Sequence, residues 1–235
     1  MAQHSRRFLQ ILYNIDKSLL YNLDEALVLL KKYSSVKFIE TVEAHISLNL
    51  DPKYANQQLR ATIILPKSSK KLIRVAVITQ EDKIFQAKLF GADVVGSKNL
   101  IEEIFKGRLD FDQLIITPDM MLLAAKLSRV LGPKNLMPSP KSGTVTNEIK
   151  NAISEFKLGR LEYKLDRNGI LHVPIGKLNF SINDIKLNLT FLQKSIDRNK
   201  PIGSKKKYWK SLYLSSTMGP GILINLNSLK SSKTR

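Results

Sequence analysis

The chain has 235 residues, 43% of them hydrophobic, and a mean hydropathy of −0.14, which is enough apolar material for one large domain or two modest ones. It contains no cysteine, which excludes disulfides, thiolate metal sites and cysteine nucleophiles. No apolar run approaches the roughly 18 to 20 residues of a membrane span, and the net charge of +18 favours a polyanionic partner over a merely soluble basic protein.

The first part of the chain predicts a helix and two strands. Residues 18–33 carry apolar side chains at helical spacing, with acidic residues ahead of basic ones. Residues 36–51 then alternate between apolar and polar side chains, which is typical of a strand buried on one face. A second strand spans residues 59–66 and ends at Pro66. We expect these two strands to pair as neighbours.

The pattern changes after Pro66, where short apolar strands alternate with helices. Residues 72–78 form a nearly continuous apolar run, as expected for a strand that is buried on both faces. A helix, a short strand, a second helix and a further strand follow, and a third helix begins at Pro118. This alternation predicts a parallel α/β sheet. The loop of residues 131–146, LGPKNLMPSPKSGTVT, is rich in glycine and proline.

Antiparallel strands return in the last third of the chain. Two predicted strands, residues 161–166 and 170–176, flank an Arg-Asn-Gly turn, and Asn-Gly between strands is a strong hairpin signal. A helix over residues 181–199 and a basic segment over residues 200–210 follow. The chain therefore ends in the same pattern of strands with which it began.

The simplest organisation is a composite domain of residues 1–66 and 159–235, with an α/β domain inserted at residues 67–158. The inserted segment holds 15 basic and 10 acidic residues, so +13 of the net charge of +18 lies in the composite domain. The composite domain is therefore the expected polyanion-binding unit.

A small-residue turn between two apolar strands is the most informative short motif. Residues 215–221 read SSTMGPG and stand between Leu214 and Ile222. Gly219 and Gly221 permit close backbone approach and a positive φ, and Pro220 has no N–H to offer. Because concentrated positive charge precedes it, this turn predicts a site shaped for a sugar–phosphate chain.

Several runs of residues stand in the order and spacing of a known family. They are VKFIETVE, LDPKYANQQLR, GADVVG, FDQLIITPDMM, GPKNLMPSPKSGTVT, GRLEYKLDRNGILHVPIGKLNF and LSSTMGPG. Together they resemble the bacterial-type ribosomal protein L-one family, that of the large-subunit stalk protein, over nearly the whole chain.

The resemblance implies an α/β protein (α+β plus α/β) of two domains. A split βαβ antiparallel-sheet domain is built from both termini, and a Rossmann-like, three-layer α/β domain is inserted in it. The implied function is that of a structural constituent of the large ribosomal subunit, which binds the stalk region of large-subunit rRNA and assists release of deacylated tRNA from the exit site. Many bacterial relatives also bind a similar RNA fold in their own mRNA and repress its translation, so the resemblance implies this second role as well. No enzyme activity, metal, cofactor or membrane is implied, and the free protein is expected to be a monomer.

The candidate RNA-binding residues fall in three segments. We expect Lys37 to meet a phosphate, Phe38 to stack on a base or pack against a ribose, and Glu40 to accept from a guanine edge or a 2′-OH. The alternative is an ordinary strand start with a core phenylalanine. His172 is equally open to a structural role. The full set is Lys37, Phe38, Glu40, Thr41, Lys164, Asp166, Arg167, His172, Lys177, Ser216, Thr217, Met218, Gly219 and Pro220.

Two further groups of residues are candidates for secondary RNA contacts. A glycine-containing cradle for a phosphate is predicted in the inserted domain, and the basic segment is expected to add attraction and salt dependence without sequence choice. The residues are Gly132, Pro133, Lys134, Asn135, Lys205, Lys206 and Lys207.

Two functions of other classes stay open at this point. One is a messenger-binding translational repressor, and the other is a phosphate-ligand enzyme that uses the inserted domain. The second lacks a nucleotide-binding glycine motif, and the three histidines have no metal-ligand spacing. A bias towards lysine and asparagine favours a plastid ribosome in the chloroplast stroma, with a ribosome of the bacterial cytoplasm as the alternative.

Overall fold

The computed structural model of the protein describes residues 4–16, 18–67, 73–134, 136–201, 203–204 and 207–230. Three residues of the predicted secondary contacts, Asn135, Lys205 and Lys206, lie outside these residues. The strands are β1 Thr41–Leu48, β2 Arg60–Ile64, β3 Val75–Ile78, β4 Val94–Gly96, β5 Gln113–Ile116, β6 Arg160–Lys164, β7 Ile170–Lys177, β8 Trp209–Ser216 and β9 Ile222–Ile224. The α-helices are α1 Arg6–Tyr13, α2 Leu23–Lys32, α3 Glu81–Leu89, α4 Lys98–Phe105, α5 Met121–Ala124, α6 Ser128–Leu131, α7 Ile149–Lys157, α8 Ile182–Arg198 and α9 Leu226–Lys230.

The chain divides into two compact units. The first, here called the terminal unit, comprises Met1–Ser69 and Tyr163–Arg235, and the second, the inserted unit, comprises Lys70–Glu162. Within the described residues, no helix is long and apolar enough to cross a membrane. The predicted mixed α/β fold class is confirmed.

A four-stranded antiparallel sheet, in the order β7–β1–β8–β9, forms the centre of the terminal unit. Every second side chain of β1 is buried, as its alternating sequence predicts. The helices α2 and α8 pack against the sheet, and each Leu or Ile side chain buried there contributes about 1.5 to 3 kcal/mol. The alternate side chains of β1, β7 and β8 form what we call the polar face, which consists of Glu43, His45, His172, Tyr213 and Ser215.

The expected pairing of β1 with β2 is wrong. β1 pairs with β7 on one side and with β8 on the other, and β2 pairs with β6 in a separate two-stranded sheet. Both edges of β1 are therefore occupied by strands more than a hundred residues away in the chain. β2 also lacks the alternating burial of β1, so it has no apolar face to add to the same core. Proximity in sequence was a poor guide because an alternating pattern shows which face of a strand is buried but not which edge pairs.

A buried asparagine of α8 joins three chain segments of the terminal unit. Asn188 is fully buried, and its Nδ2 donates to the carbonyl oxygens of Ile175 (2.7 Å) and Lys67 (2.6 Å). Its Oδ1 accepts from the amide of Lys67 (3.0 Å). One side chain thus satisfies three main-chain groups, two of them after β2 and one within β7.

The inserted unit is a three-layer structure around the parallel sheet β4–β3–β5. All four residues of β3 are buried, which explains its unbroken apolar sequence. One face of the sheet packs on α4 to α6, and the other packs on α3 and α7. This arrangement agrees with the expected Rossmann-like layering.

Candidate nucleic-acid interface

The turn that follows β8 lies beside the segment that leads into β1. The amide of Thr217 donates to the carbonyl oxygen of Thr41 (3.1 Å), and the amide of Thr41 donates to Thr217 Oγ1 (3.0 Å). The two residues are 176 positions apart and meet because β1 and β8 pair antiparallel. The hydroxyl of Thr217 is therefore engaged within the protein, and its first role is to hold the turn.

Glu40 occupies a different place from the one its sequence context suggests. It is only 1% exposed, and its two carboxylate oxygens accept from Ser34 Oγ (3.1 Å) and from the amide of Met218 (3.0 Å). The expected contact of this carboxylate with a guanine edge or a 2′-OH does not fit such burial. Glu40 instead holds the main chain of the turn by accepting the hydrogen bond from the amide of Met218.

An arginine that the sequence analysis missed holds the same turn from the outside. The guanidinium of Arg7, in α1, donates to the carbonyl oxygen of Met218 (2.8 Å) and reaches Ser35 Oγ (3.5 Å). Both main-chain polar groups of Met218 are thus engaged, one by Glu40 and one by Arg7. No pattern in the sequence links these residues, because their contact depends on where α1 docks.

The exposed side chains of these two segments include both apolar and polar ones. Phe38 is 52% exposed and Met218 is 48% exposed, and Lys37 and Thr217 are exposed as well. Phe38 is therefore not a core residue, which removes that alternative. Lys177 lies at the same end of the sheet, where its Nζ donates to Thr41 Oγ1 (2.7 Å).

Two predicted site residues, Ser216 and Pro220, are buried. Ser216 ends β8 on the side of the sheet that carries its core, and its neighbours Leu212 and Leu214 are buried likewise. Direct contact of these two side chains with a ligand does not fit this placement, so their role is to shape the turn.

Gly219 is required for close packing and not for an unusual backbone angle. Neither Gly219 nor Gly221 has a positive φ, so that part of the expectation is wrong. A Cβ at Gly219 would instead lie 2.5 Å from Ser216 Oγ, closer than real contacts allow. The glycine therefore lets the turn fold back over the end of β8.

Replacing Gly219 by alanine is expected to lower the free energy of unfolding by about 1 to 2 kcal/mol, because the new methyl group would force the hydroxyl of the buried Ser216 out of its position. In a Ser216→Ala background the nearest atom to the new methyl group would be the Cβ of residue 216 at 3.6 Å, an ordinary contact. We therefore expect the same glycine change to cost much less in that background. Urea denaturation of the four chains measures both costs, and equal costs in the two backgrounds would contradict the packing argument.

The 165–172 hairpin forms the opposite end of the sheet from the turn. Its strand places His172 roughly 17 Å along β7 from Lys177, at about 3.4 Å per residue. The carboxylate of Asp166 accepts from the amides of Asn168 (2.9 Å) and Ile170 (2.7 Å). Burial raises the pKa of Asp166, but these amides and the nearby imidazole of His172 lower it by more, so the net pKa lies below its ordinary value. The predicted residues are thus spread from one end of the sheet to the other and do not form a single cluster, and Lys164 and Arg167 are exposed.

The residue that faces His172 across the sheet, His45, was also missed. The two Nδ1 atoms are 2.8 Å apart, and His45 Nε2 is 2.7 Å from Ser215 Oγ. Burial first, and then the neighbouring charge of His172, lower the pKa of His45, while Glu43 opposes the change. The alternating sequence of β1 predicts that His45 lies on the polar face. It does not predict the contact with His172, which is 127 residues away in the chain.

The predicted phosphate cradle of the inserted unit is not formed at Gly132. This residue continues from α6 with helical φ and ψ, and its amide donates to the carbonyl oxygen of Ser128 (2.9 Å). Pro133 has no amide hydrogen, so neither residue presents a donor to a phosphate. Lys134 is exposed in the inserted unit, and Lys207 is exposed just before β8.

Known proteins resemble the chain along almost its whole length. The model of the Ribosomal protein L1p/L10e family matches residues 30–220. A "Large ribosomal subunit protein uL1c" of Gracilaria tenuistipitata var. liui is 59% identical over 232 residues, 99% of each chain. A protein of the same name from Pyropia yezoensis is 58% identical over 229 residues, 97% of this chain and 100% of the relative. A "Large ribosomal subunit protein uL1" of Rippkaea orientalis is 52% identical over 229 residues, 97% of this chain and 96% of the relative.

The family match covers well over half of the chain, and the relatives of plastid type and of cyanobacterial type agree with it. It also agrees with the expectation of a structural protein that is not an enzyme. The composite architecture, the paired turn and β1 segment, and the family match lead to one conclusion: the chain belongs to the Ribosomal protein L1p/L10e family.

Proposed function

We propose that this protein is a constituent of the large ribosomal subunit whose terminal unit binds the stalk region of large-subunit rRNA. The observation that carries the proposal is the fixed turn. Glu40 and Arg7 hold the main chain of Met218, and the side chains of Met218 and Phe38 stay exposed in the two segments so joined. The names of the relatives, all proteins of the large ribosomal subunit, support the setting.

The chemistry of this surface suits RNA. RNA is recognised through its shape, through stacking on exposed aromatic or apolar side chains, and through contacts to ribose hydroxyls and phosphates. Phe38 and Met218 offer apolar surface, and Lys37 offers exposed positive charge next to Phe38, while Lys207 adds exposed positive charge at the other end of β8. Because the turn is held before any ligand arrives, little ordering free energy opposes binding.

Replacing Met218 by alanine is expected to weaken binding of a stalk-rRNA fragment by about 1 to 2 kcal/mol at every salt concentration, because an exposed apolar contact is lost. The stability should stay within about 0.5 kcal/mol of the wild type, since both hydrogen bonds of residue 218 come from its main chain. Fluorescence anisotropy with a labelled rRNA fragment, repeated over a range of salt concentrations, measures the effect.

Two control variants distinguish specific recognition of the RNA from nonspecific electrostatic attraction. Leu122 is 86% exposed in the inserted unit, and the variant Leu122→Ala removes a similar volume of apolar side chain. We expect this variant to bind the rRNA fragment with the affinity of the wild type. Lys207→Ala should mainly reduce the slope of log affinity against log salt, by about one unit. If Met218→Ala bound as tightly as Leu122→Ala, or if the wild type bound an unrelated hairpin equally well, specific recognition by the turn would be disproved.

Two further roles follow from the family resemblance and are proposed with it. The protein assists release of deacylated tRNA from the exit site, and it represses translation of its own mRNA by binding an RNA fold like that of the stalk. Ribosomes that lack the protein should release exit-site tRNA more slowly. Capture of its own messenger by the purified protein tests the second role, and failure of that capture would leave rRNA binding intact.

We propose a plastid ribosome as the setting, with a bacterial ribosome as the alternative. The similarity to proteins of plastid type (uL1c) supports a plastid ribosome. The 52% identity to a cyanobacterial protein keeps a bacterial ribosome as the alternative. The genes that flank the coding sequence decide between a plastid genome and a bacterial chromosome.

A further inference from the structure

The polar face carries a pair of histidines whose rings share a hydrogen bond. His45 and His172 stand directly opposite each other in β1 and β7, with ring centroids 5.0 Å apart. Their Nδ1 atoms are 2.8 Å apart. On the outer side of each ring, His45 Nε2 is 2.7 Å from Ser215 Oγ and His172 Nε2 is 3.6 Å from Asp166 Oδ2. The four side chains form one continuous line across the sheet.

This line limits the number of protons that the pair can hold. One of the two Nδ1 atoms must be unprotonated, because two N–H groups cannot face each other at hydrogen-bond distance. The neutral pair satisfies both hydrogen bonds when Ser215 donates to His45 and His45 donates to His172, and the N–H at His172 Nε2 then lies near Asp166 Oδ2, 3.6 Å away. One added proton is also accommodated. His172 is then protonated on both nitrogens and donates from Nδ1 to His45 Nδ1, while His45 carries its own proton on Nε2 and donates it to Ser215 Oγ. A second added proton breaks the central hydrogen bond.

Burial and the neighbouring imidazole oppose protonation of His45 in the free protein. Glu43 of β1, Tyr213 of β8 and Asp166 of the hairpin are the titratable groups that face it, and Lys177 lies farther along β7. Burial first, and then the charge of His172, hold the pKa of His45 below its ordinary value of 6.5, with Glu43 opposing. The ring of His45 is therefore uncharged at neutral pH until a new negative charge approaches.

We propose that RNA binding to the polar face is coupled to the uptake of one proton by the His45–His172 pair, so that affinity rises as the pH falls. This inference rests on the proposed RNA-binding function. Phosphates that approach the polar face favour the protonated pair, which raises its pKa in the complex above its pKa in the free protein. Between these two pKa values, each unit of falling pH raises the affinity by up to about tenfold, and above both values the affinity does not depend on pH.

The test is the affinity for the stalk-rRNA fragment between pH 8 and pH 5.5 at constant ionic strength. We expect the wild type to bind about threefold to tenfold more tightly at the low end of this range. His45→Gln and His172→Gln should each lose this gain. The chain has three histidines, so His4→Gln is the matched control, and it should keep the gain. A histidine NMR titration with and without the RNA should show an imidazole pKa that rises on binding.

The possible failures are distinguishable. Tight but pH-independent binding by the wild type, or an unchanged gain in His45→Gln and His172→Gln, would overturn the coupling and leave the proposed function standing. Absence of rRNA binding at every pH would overturn the proposed function together with this inference.

Discussion

Replacing Glu40 by alanine is expected to weaken rRNA binding by about tenfold or more, even though it removes a negative charge from a basic protein. The buried carboxylate accepts from the amide of Met218 and from the hydroxyl of Ser34. Without it, these two donors lose their partner, and of the two side chains that hold the main chain of Met218 only Arg7 remains. We also expect the free energy of unfolding to fall by about 2 to 4 kcal/mol, since hydrogen bonds to a buried charged group are lost.

Glu102→Ala is the matched control for this experiment. Glu102 is exposed in α4, and its replacement changes the net charge by the same amount. Long-range electrostatics alone predicts slightly tighter RNA binding by both variants. The structural argument predicts tighter or equal binding only for Glu102→Ala. Anisotropy and urea denaturation on the two variants measure affinity and stability, and Glu40→Ala binding as tightly as Glu102→Ala would refute the role of the carboxylate.

Replacing Asn188 by leucine is expected to lower the free energy of unfolding by about 3 to 5 kcal/mol, which is the largest stability effect that we expect from one substitution. Leucine has nearly the same size, so no large cavity forms. The loss comes from the carbonyl oxygens of Ile175 and Lys67 and the amide of Lys67, which lose their partner within the fold. The bond to Ile175 is buried and the two bonds to Lys67 are partly buried, and a buried main-chain group left without a partner costs about 1 to 3 kcal/mol.

Asn183→Leu is the matched control for this prediction. Asn183 lies on the same helix, α8, but is exposed, so the identical change should alter the stability by no more than about 0.5 kcal/mol. Urea denaturation of both variants gives the two values. Equal effects at the two positions would show that helix propensity, and not the buried hydrogen bonds, controls the outcome.

Periodic features of the fold were predictable because each depends on neighbouring residues. The alternation of β1 gave its buried face correctly, and the unbroken apolar run of β3 marked a strand buried on both faces. The pairing of β1 was predicted wrongly, since β7 and β8 occupy both of its edges. Pairing depends on which distant strand completes the same apolar core, and a local pattern carries no such information.

The candidate site divides in the same way. The segments around residues 37–41 and 216–220 were identified from the sequence, and the structure joins them through Thr41 and Thr217. Their contacts with RNA stay a prediction. The burial of Glu40 and the docking of Arg7 on the turn were not predictable, because both depend on how elements far apart in the chain pack together.

By itself, the sequence determined the chemical character of this protein: a basic chain without cysteine, two patterns of strands, and a turn of small residues beside exposed charge. Composition is counted directly from the sequence, and periodicity depends only on neighbouring residues. Both can therefore be read without knowing the fold. Only the tertiary structure decided which side chains face a ligand and which hold the site in place. Hydrogen bonds such as those between Glu40 and Met218, or between His45 and His172, join residues more than a hundred positions apart, and only the completed sheet brings their atoms within reach.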